Sequence, residues 1–222
     1  YLILEDAHLP QAASLCAQSR LLNNGQSCIA AKRFLLPRGL RKDFAELLME
    51  RMTAPRIGLP QEESTRLGPL AHRRILENTR RQLEQIQKEG SRRLWTKEME
   101  ARGGAFFPPQ ILLCQGTEPS LRSEEFFAPV ALLIEYDELE QAIAMANATV
   151  YGLGGAVFSQ DFERADEVAR RLDCGFVAIN DFVRSDPRLP FGGVKDSGFG
   201  RELGEWGVNE FINWKTVVRG AD

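Results

Sequence analysis

The scarce reactive groups of this 222-residue chain are four thiols and two imidazoles. The cysteines stand at positions 16, 28, 114 and 174 and form no CxxC pair, so neither a disulfide framework nor a zinc ligand set is expected and all four read as free thiols. Cys28 has the context of a nucleophile. It lies in NNGQSCIAAKRF, between a helix end and a strand, flanked by Gly25 and small residues, where backbone amides can point at a reacting oxygen. A lone cysteine is by default a buried and inert side chain, so its partners must decide. A thiol protease needs a histidine, yet only His8 and His72 exist, one near a loop and one at the start of an arginine-rich helix. Neither has a second histidine at HxxxH spacing, and no metal site is expected. Ile29 and Ala30 leave no thiol beside Cys28, which argues against a vicinal redox switch.

Two further segments are unusual for pure scaffold. RSEEFFAPV, 122–130, sets two carboxylates and two aromatics directly before an apolar run. PFGGVKDSGFGREL, 190–203, is denser in glycine than a core requires. It is no phosphate loop, which would place Lys and then Ser or Thr directly after the last Gly; a tight surface turn is the plainer reading.

The elements that must position these segments follow from apolar periodicity. Ala12, Leu15, Cys16, Ser19 and Leu22 fall near helical spacing, and Asn23-Asn24-Gly25 stops that helix at GQSC. KRFLL, 32–36, suits a short strand, and Phe44, Leu47, Leu48 and Met52 mark the next helix. A helix from about 71 to 89 carries Leu76, Leu83 and Ile86 inward, with Arg73, Arg74, Arg80 and Arg81 as a solvated face. Two strand-like runs lie within 91–115, VALLIEY at 130–136 reads as a buried strand, and Asp137 is placed to cap a helix carrying Leu139, Ile143 and Ala146. A strand near 154–158, a helix near 161–172 and a strand near 175–179 repeat the pattern. The opening YLILED reads as a buried strand or strand end, and WKTVVRG, 214–220, as strand-like after a helix near 201–211. Strands alternating with helices predict an α/β fold, a three-layer domain with a largely parallel sheet flanked by helices. A hydrophobic fraction of 43% and a charged fraction of 27% allow one packed core, and a net charge of -3 disfavours a nucleic-acid partner. No apolar run is long enough to span a bilayer and no signal pattern opens the chain, so the expected localisation is cytoplasmic, with no membrane partner. A first residue Tyr1 with no initiator Met suggests an excised piece.

Taken together, NNGQSC, SEEFFAPV and PFGGVKDSGFGRELGEWG resemble, in this order, the nucleophile, cofactor-contact and C-terminal motifs of the aldehyde dehydrogenase superfamily. TRLGPL, FFPPQIL, YGLGGAVF and GFVAIN resemble further family segments, so the likeness covers nearly the whole chain. It implies NAD(P)-dependent oxidation of a small-molecule aldehyde to a carboxylate. Cys28 is then the nucleophile that forms a thiohemiacetal and a thioester, and its amide one of two oxyanion donors. Glu125 is the acid that contacts the nicotinamide ribose, Phe127 the aromatic beside the ring, and Glu202 a member of a proton relay or a structural carboxylate bonded to backbone or Lys195. Phe182 and Phe191 line the aldehyde pocket. Ala128 stands where the family motif usually has Gly.

The same resemblance implies that 1–212 is a catalytic domain, that 213–222 is an oligomerisation strand of a homo-oligomer, and that the cofactor-binding domain, the general-base Glu and the second oxyanion donor lie elsewhere. The isolated chain is accordingly expected to be inactive. RSDPRLPFGG is similar to the succinate-semialdehyde dehydrogenase branch, with Arg184, Ser185 and Arg188 as partners for a distal carboxylate; Leu22, where some members of that branch carry Arg, argues against it. Two alternatives stay open, a non-catalytic fragment serving only in oligomer contacts and a dehydrogenase that passes its acyl group to coenzyme A.

Overall fold

The computed structural model describes residues 1–99 and 103–221. Its strands are β1 (Leu2–Ile3), β2 (Arg33–Pro37), β3 (Arg92–Thr96), β4 (Gln110–Cys114), β5 (Val130–Tyr136), β6 (Tyr151–Gly152), β7 (Gly154–Phe158), β8 (Phe176–Ile179) and β9 (Val194–Lys195). Its α-helices are α1 (Leu9–Leu21), α2 (Arg41–Thr53), α3 (Arg73–Lys88), α4 (Ser120–Ser123), α5 (Leu139–Asn147), α6 (Phe162–Arg170) and α7 (Gly204–Asn209). Seven strands form one sheet in the order β3-β4-β5-β2-β1-β7-β8, parallel throughout except for the β3/β4 pair at one edge. β6 and β9 form a separate antiparallel pair.

Alternation along the strands explains the layers, because successive side chains leave opposite faces of a sheet. Phe34 and Leu36 of β2 and Ala131 and Leu133 of β5 point to one face, where they join Ala13, Cys16 and Ala17 of α1 and Phe44, Leu48 and Met52 of α2. Leu35, Val130, Leu132 and Ile134 point to the other and meet Leu76, Leu83 and Ile86 of α3, Ala142 and Ile143 of α5, and Ala165 and Val168 of α6. Both faces are covered, so β5 is apolar nearly without interruption, as a parallel strand between helix layers must be. The expected three-layer α/β domain is therefore present.

Both histidines act as helix caps. His8 Nδ1 accepts from the Gln11 N–H at the start of α1, and His72 Nδ1 from the Arg74 N–H at the start of α3. Asp161 does the same for α6. The expected cap of α5 is different: Glu138 occupies the N-cap position, and the Asp137 carboxylate is taken by a two-pronged bond from Arg38 at 2.9 and 3.2 Å. A bidentate guanidinium pair outcompetes a single backbone N–H for the same oxygens. The four arginines of α3 named above are exposed, as a solvated face requires.

One other expectation needs correction. The helix near 201–211 shrinks to α7, because Phe191 and Glu202 exchange backbone hydrogen bonds at 2.7 Å and keep residue 202 extended. YLILED supplies the two-residue β1, a buried strand inside the sheet between β2 and β7, as expected. In the single chain residues 212–221, which include WKTVVRG, have no regular structure and are exposed, as a strand-like run without a partner is. Of the 91–115 segment, residues 100–102 lie outside those described, and β3 and β4 are the two expected runs.

Tyr136 ties the centre of the sheet together. Its hydroxyl, buried beneath the strands, donates to the Ile3 carbonyl at 2.9 Å. Tyr136→Phe leaves that carbonyl short of a partner, and a loss of about 1–2 kcal/mol of stability is expected in urea unfolding. An unchanged midpoint would show that the bond contributes nothing net.

Candidate active site

Cys28 is positioned by a run of left-handed backbone. α1 ends at Leu21, and Asn23, Asn24 and Gly25 follow with φ of 49°, 59° and 77°. Only Gly, Asn and Asp accept such angles at small cost, which gives the NNG triplet its physical meaning. The turn is stitched to the 68–71 segment: Asn24 bonds Gly68 N and Pro69 O, and Gln26 accepts from Ala71 N at 2.8 Å. Gly25 is pressed on the backbone of the second motif, where an added Cβ would lie 2.4 Å from the Ala128 carbonyl oxygen.

The thiol that results is unlike the other three. Cys28 is exposed, whereas Cys16 and Cys114 are buried and Cys174 is half-buried. Burial pushes the Cys16, Cys114 and Cys174 thiols up, which makes each a poorer nucleophile. Among the described residues the Cys28 N–H donates to no acceptor, so it is available to an oxygen bound beside the sulfur.

Cys28, Glu125 and Phe191 line one cavity of about 470 Å³, with Lys32, Tyr151 and Asp196 also on its wall. The cavity lies beyond the amino-terminal ends of β1, β2, β7 and β8, since residues 1, 28–32, 152–155 and 174 all precede or open those strands. Open parallel sheets more often place ligands at the carboxyl ends. Phe127 is joined to this group through Lys32, whose ammonium lies 5.4 Å from the ring centroid.

The remaining candidates lie apart. Phe182 is half-buried with the Arg184 guanidinium 4.5 Å over its ring, and Ser185 is exposed. Neither lines the Cys28 cavity. Arg184 is paired with Asp181 and Arg188 with Asp186, so neither cation is free. The Glu202 carboxylate is exposed and has no hydrogen-bond or ion-pair partner among the described residues; Lys195 instead bonds the Asn147 carbonyl at 2.8 Å and faces Asp173. The glycines of 190–203 are a packing device more than a surface turn: a Cβ on Gly192 would meet the Gly200 oxygen at 2.6 Å and one on Gly193 the Ser197 side chain at 2.5 Å.

Two cations escaped the sequence reading. Arg20 of α1 is fully buried beneath the nucleophile turn and donates to Gly25 O at 2.7 Å and Phe126 O at 3.5 Å, so it grips both motifs at once. Desolvation holds its guanidinium down at about 9, opposed by the charge of Glu125. Lys32 bonds Ser27 O and Cys28 O at 2.9 Å and pairs with Glu125 at 2.7 Å. Desolvation and then Arg20 push the Lys32 ammonium down to about 8, with Glu125 and Cys28 opposing. Among the described residues no group of three or more His, Cys, Asp and Glu side chains could hold a metal.

Residues 1–217 match the aldehyde dehydrogenase family. The chain belongs to that family. This aldehyde dehydrogenase chain is 41% identical over 219 residues to the succinate-semialdehyde dehydrogenase (NADP(+)) of Deinococcus radiodurans, covering 98% of its own length and 46% of that relative. It is 38% identical to the succinate semialdehyde dehydrogenase (NAD(P)+) Sad of Escherichia coli K12, covering 98% of its own length and 47% of that one. Its fold superposes on the crystal structure of succinic semialdehyde dehydrogenase from Streptococcus pyogenes in complex with NADP+, with a TM-score of 0.91 at 34% identity over 96% of this chain and 47% of that one. The chain thus spans about half the length of the relatives it matches.

Proposed function

We propose that these 222 residues act as the catalytic-domain half of an enzyme that oxidises an aldehyde to its carboxylate with NAD or NADP, and that the aldehyde is succinate semialdehyde. The observation that carries this reading is an exposed thiol with an uncommitted backbone N–H, set in the same cavity wall as the Glu125 carboxylate. The Cys28 sulfur adds to the aldehyde carbon, and the carbonyl oxygen, now an alkoxide, sits against the Cys28 N–H. When bound, NAD or NADP would supply the hydride acceptor for oxidation at the thiohemiacetal carbon, with Glu125 and Phe127 as the residues of this chain placed to hold it. Water then cleaves the Cys28 thioester, releasing the carboxylate and restoring the thiol; the general base for this step, the second oxyanion donor and the nucleotide-binding domain belong to sequence outside these residues.

The residues present suit a dinucleotide. Glu125 offers acceptor-only oxygens at 29% side-chain exposure on the cavity wall, as ribose hydroxyls require, and Phe127 offers a half-buried ring beside it. Phe191, on the same wall, is placed to line the aldehyde pocket. Phe182 and Ser185 belong to the 181–190 segment and would meet the substrate from outside this cavity. Glu202, unpartnered, is free to relay a proton. The named relatives support a four-carbon substrate with a distal carboxylate. Because Arg184 and Arg188 are held by aspartates, the Ser185 hydroxyl, without a partner among the described residues, is the donor we assign to that carboxylate. We further propose that 213–222 pairs with a second copy, since Trp214, Val217 and Val218 are exposed apolar residues in a strand-like run.

A panel of aldehydes with NAD and NADP, run on the full-length protein, tests this reading. Succinate semialdehyde is expected to exceed butanal in kcat/KM by about 10- to 100-fold, the worth of one charge-assisted contact. Equal use of butanal would sink the substrate assignment, and no oxidation of any aldehyde would sink the reading as a whole.

A further inference from the structure

We propose that Lys32 is a positioning residue for this reaction: it locks the turn carrying Cys28 to the Glu125 carboxylate and holds a positive charge beside the thiol. The inference rests on the aldehyde-oxidising reading above and adds a residue to it.

A lysine ammonium has three N–H donors and no acceptor. All three of its contacts fall on the two motifs: Ser27 O at 2.9 Å, Cys28 O at 2.9 Å and Glu125 Oε1 at 2.7 Å. The side chain is only 16% exposed, and its fourth neighbour is the face of Phe127, so the head group is held on every side. Neither carbonyl lies in a helix or strand; without Lys32 the Ser27 oxygen keeps only the Ala30 N–H at 3.2 Å, and the Cys28 oxygen has no other donor among the described residues. An ammonium is costly to bury near a second buried cation, Arg20. A structure that needed only to fill this space would use an apolar side chain; one that must fix a nucleophile's carbonyl and a carboxylate in one geometry needs a donor that reaches both.

Electrostatics supplies a readout that simple packing would not move. Iodoacetate and iodoacetamide alkylate thiols with similar geometry but differ by one negative charge, so their rate ratio at Cys28 reports the local charge. Two unit charges about 6 Å apart in water change such a ratio by about threefold, and more where water is partly excluded. The experiment uses this 222-residue chain, with the alkylated cysteine assigned by peptide mass and folding checked by circular dichroism. In Lys32→Met the ratio is expected to fall by about threefold or more, and amide exchange over 26–31 to quicken; Lys32→Arg, which keeps the charge and the donors, restores both towards wild type. Glu125→Gln, which uncovers the cation without removing it, is expected to raise the ratio and serves if Lys32→Met fails to fold. An unchanged ratio in either variant, or unchanged exchange over 26–31 in folded Lys32→Met, overturns the inference and leaves the aldehyde reading standing. Aldehyde oxidation that survives loss of the Cys28 sulfur overturns the reading itself.

Discussion

Full-length protein carrying Cys28→Ala is expected to lose aldehyde-dependent NAD(P)H formation by about 10⁴-fold or more, because removing the atom that forms the covalent intermediate removes the path and not one contribution to it. Stability should hardly change. Cys28 is exposed, so truncating its side chain opens no cavity, and surface substitutions of this kind shift folding by about 0.5 kcal/mol or less. The pairing of lost turnover with an intact melting curve is the signature to look for in steady-state absorbance at the reduced-nicotinamide band. Retention of wild-type oxidation by this variant would show that Cys28 is not the nucleophile. The three other thiols offer no substitute: Cys16 and Cys114 are sealed in the core, and Cys174 already donates to the Phe176 carbonyl.

Gly25→Ala should act in the opposite sense, through the fold first and the chemistry second. At φ of 77° a Cβ costs about 1–2 kcal/mol in backbone strain. The same atom would lie 2.4 Å from the Ala128 oxygen, 2.5 Å from its carbonyl carbon and 2.7 Å from an Arg20 nitrogen. Backbone does not yield as a side-chain tip does, so overpacking adds about 1–3 kcal/mol. A total of about 2–5 kcal/mol is expected in urea unfolding, together with a change in the alkylation rate of Cys28, since the turn must tilt to relieve the contact. A variant within about 1 kcal/mol of wild type would show that the NNG turn is softer than its geometry implies.

The layered fold was legible because its evidence is local and periodic. α3 alternates Leu76, Leu83 and Ile86 with charged residues, and VALLIEY is apolar along its length, so period and run length suffice. Cys28 stood out as the candidate nucleophile for a different reason: scarcity of histidine argued against a thiol protease, the NNGQSC motif proposed the role, and the exposure of the thiol is compatible with it. What stayed hidden depends on partners distant in sequence. Lys32 reads as the polar start of a strand until Glu125 is seen beside it, and Arg20 as an ordinary C-terminal helix cation until it is found under Gly25 and Phe126. Asp137 looked like a cap because Arg38 was invisible as a competitor. Arg184 and Arg188 looked like free donors because spacing alone does not reveal that Asp181 and Asp186 fold back on them. The left-handed angles at Asn23 and Asn24 were signalled by residue type, and read as a helix stop.

The place of β1 has a consequence for how the domain comes into being. Leu2 pairs with Leu35 on one side and Val157 on the other, so the first strand of these 222 residues lies inside the sheet, between neighbours far apart in sequence. On a ribosome adding about 5–20 residues per second, it waits on the order of ten seconds for its second neighbour. Until then β2, β4 and β5 can assemble with α2 and α3, but one edge of Leu2–Ile3 remains an open template. Folding is therefore completed late, by a strand two residues long that closes the largest loop in the sheet, and that interval is when the chain is most exposed to mispairing.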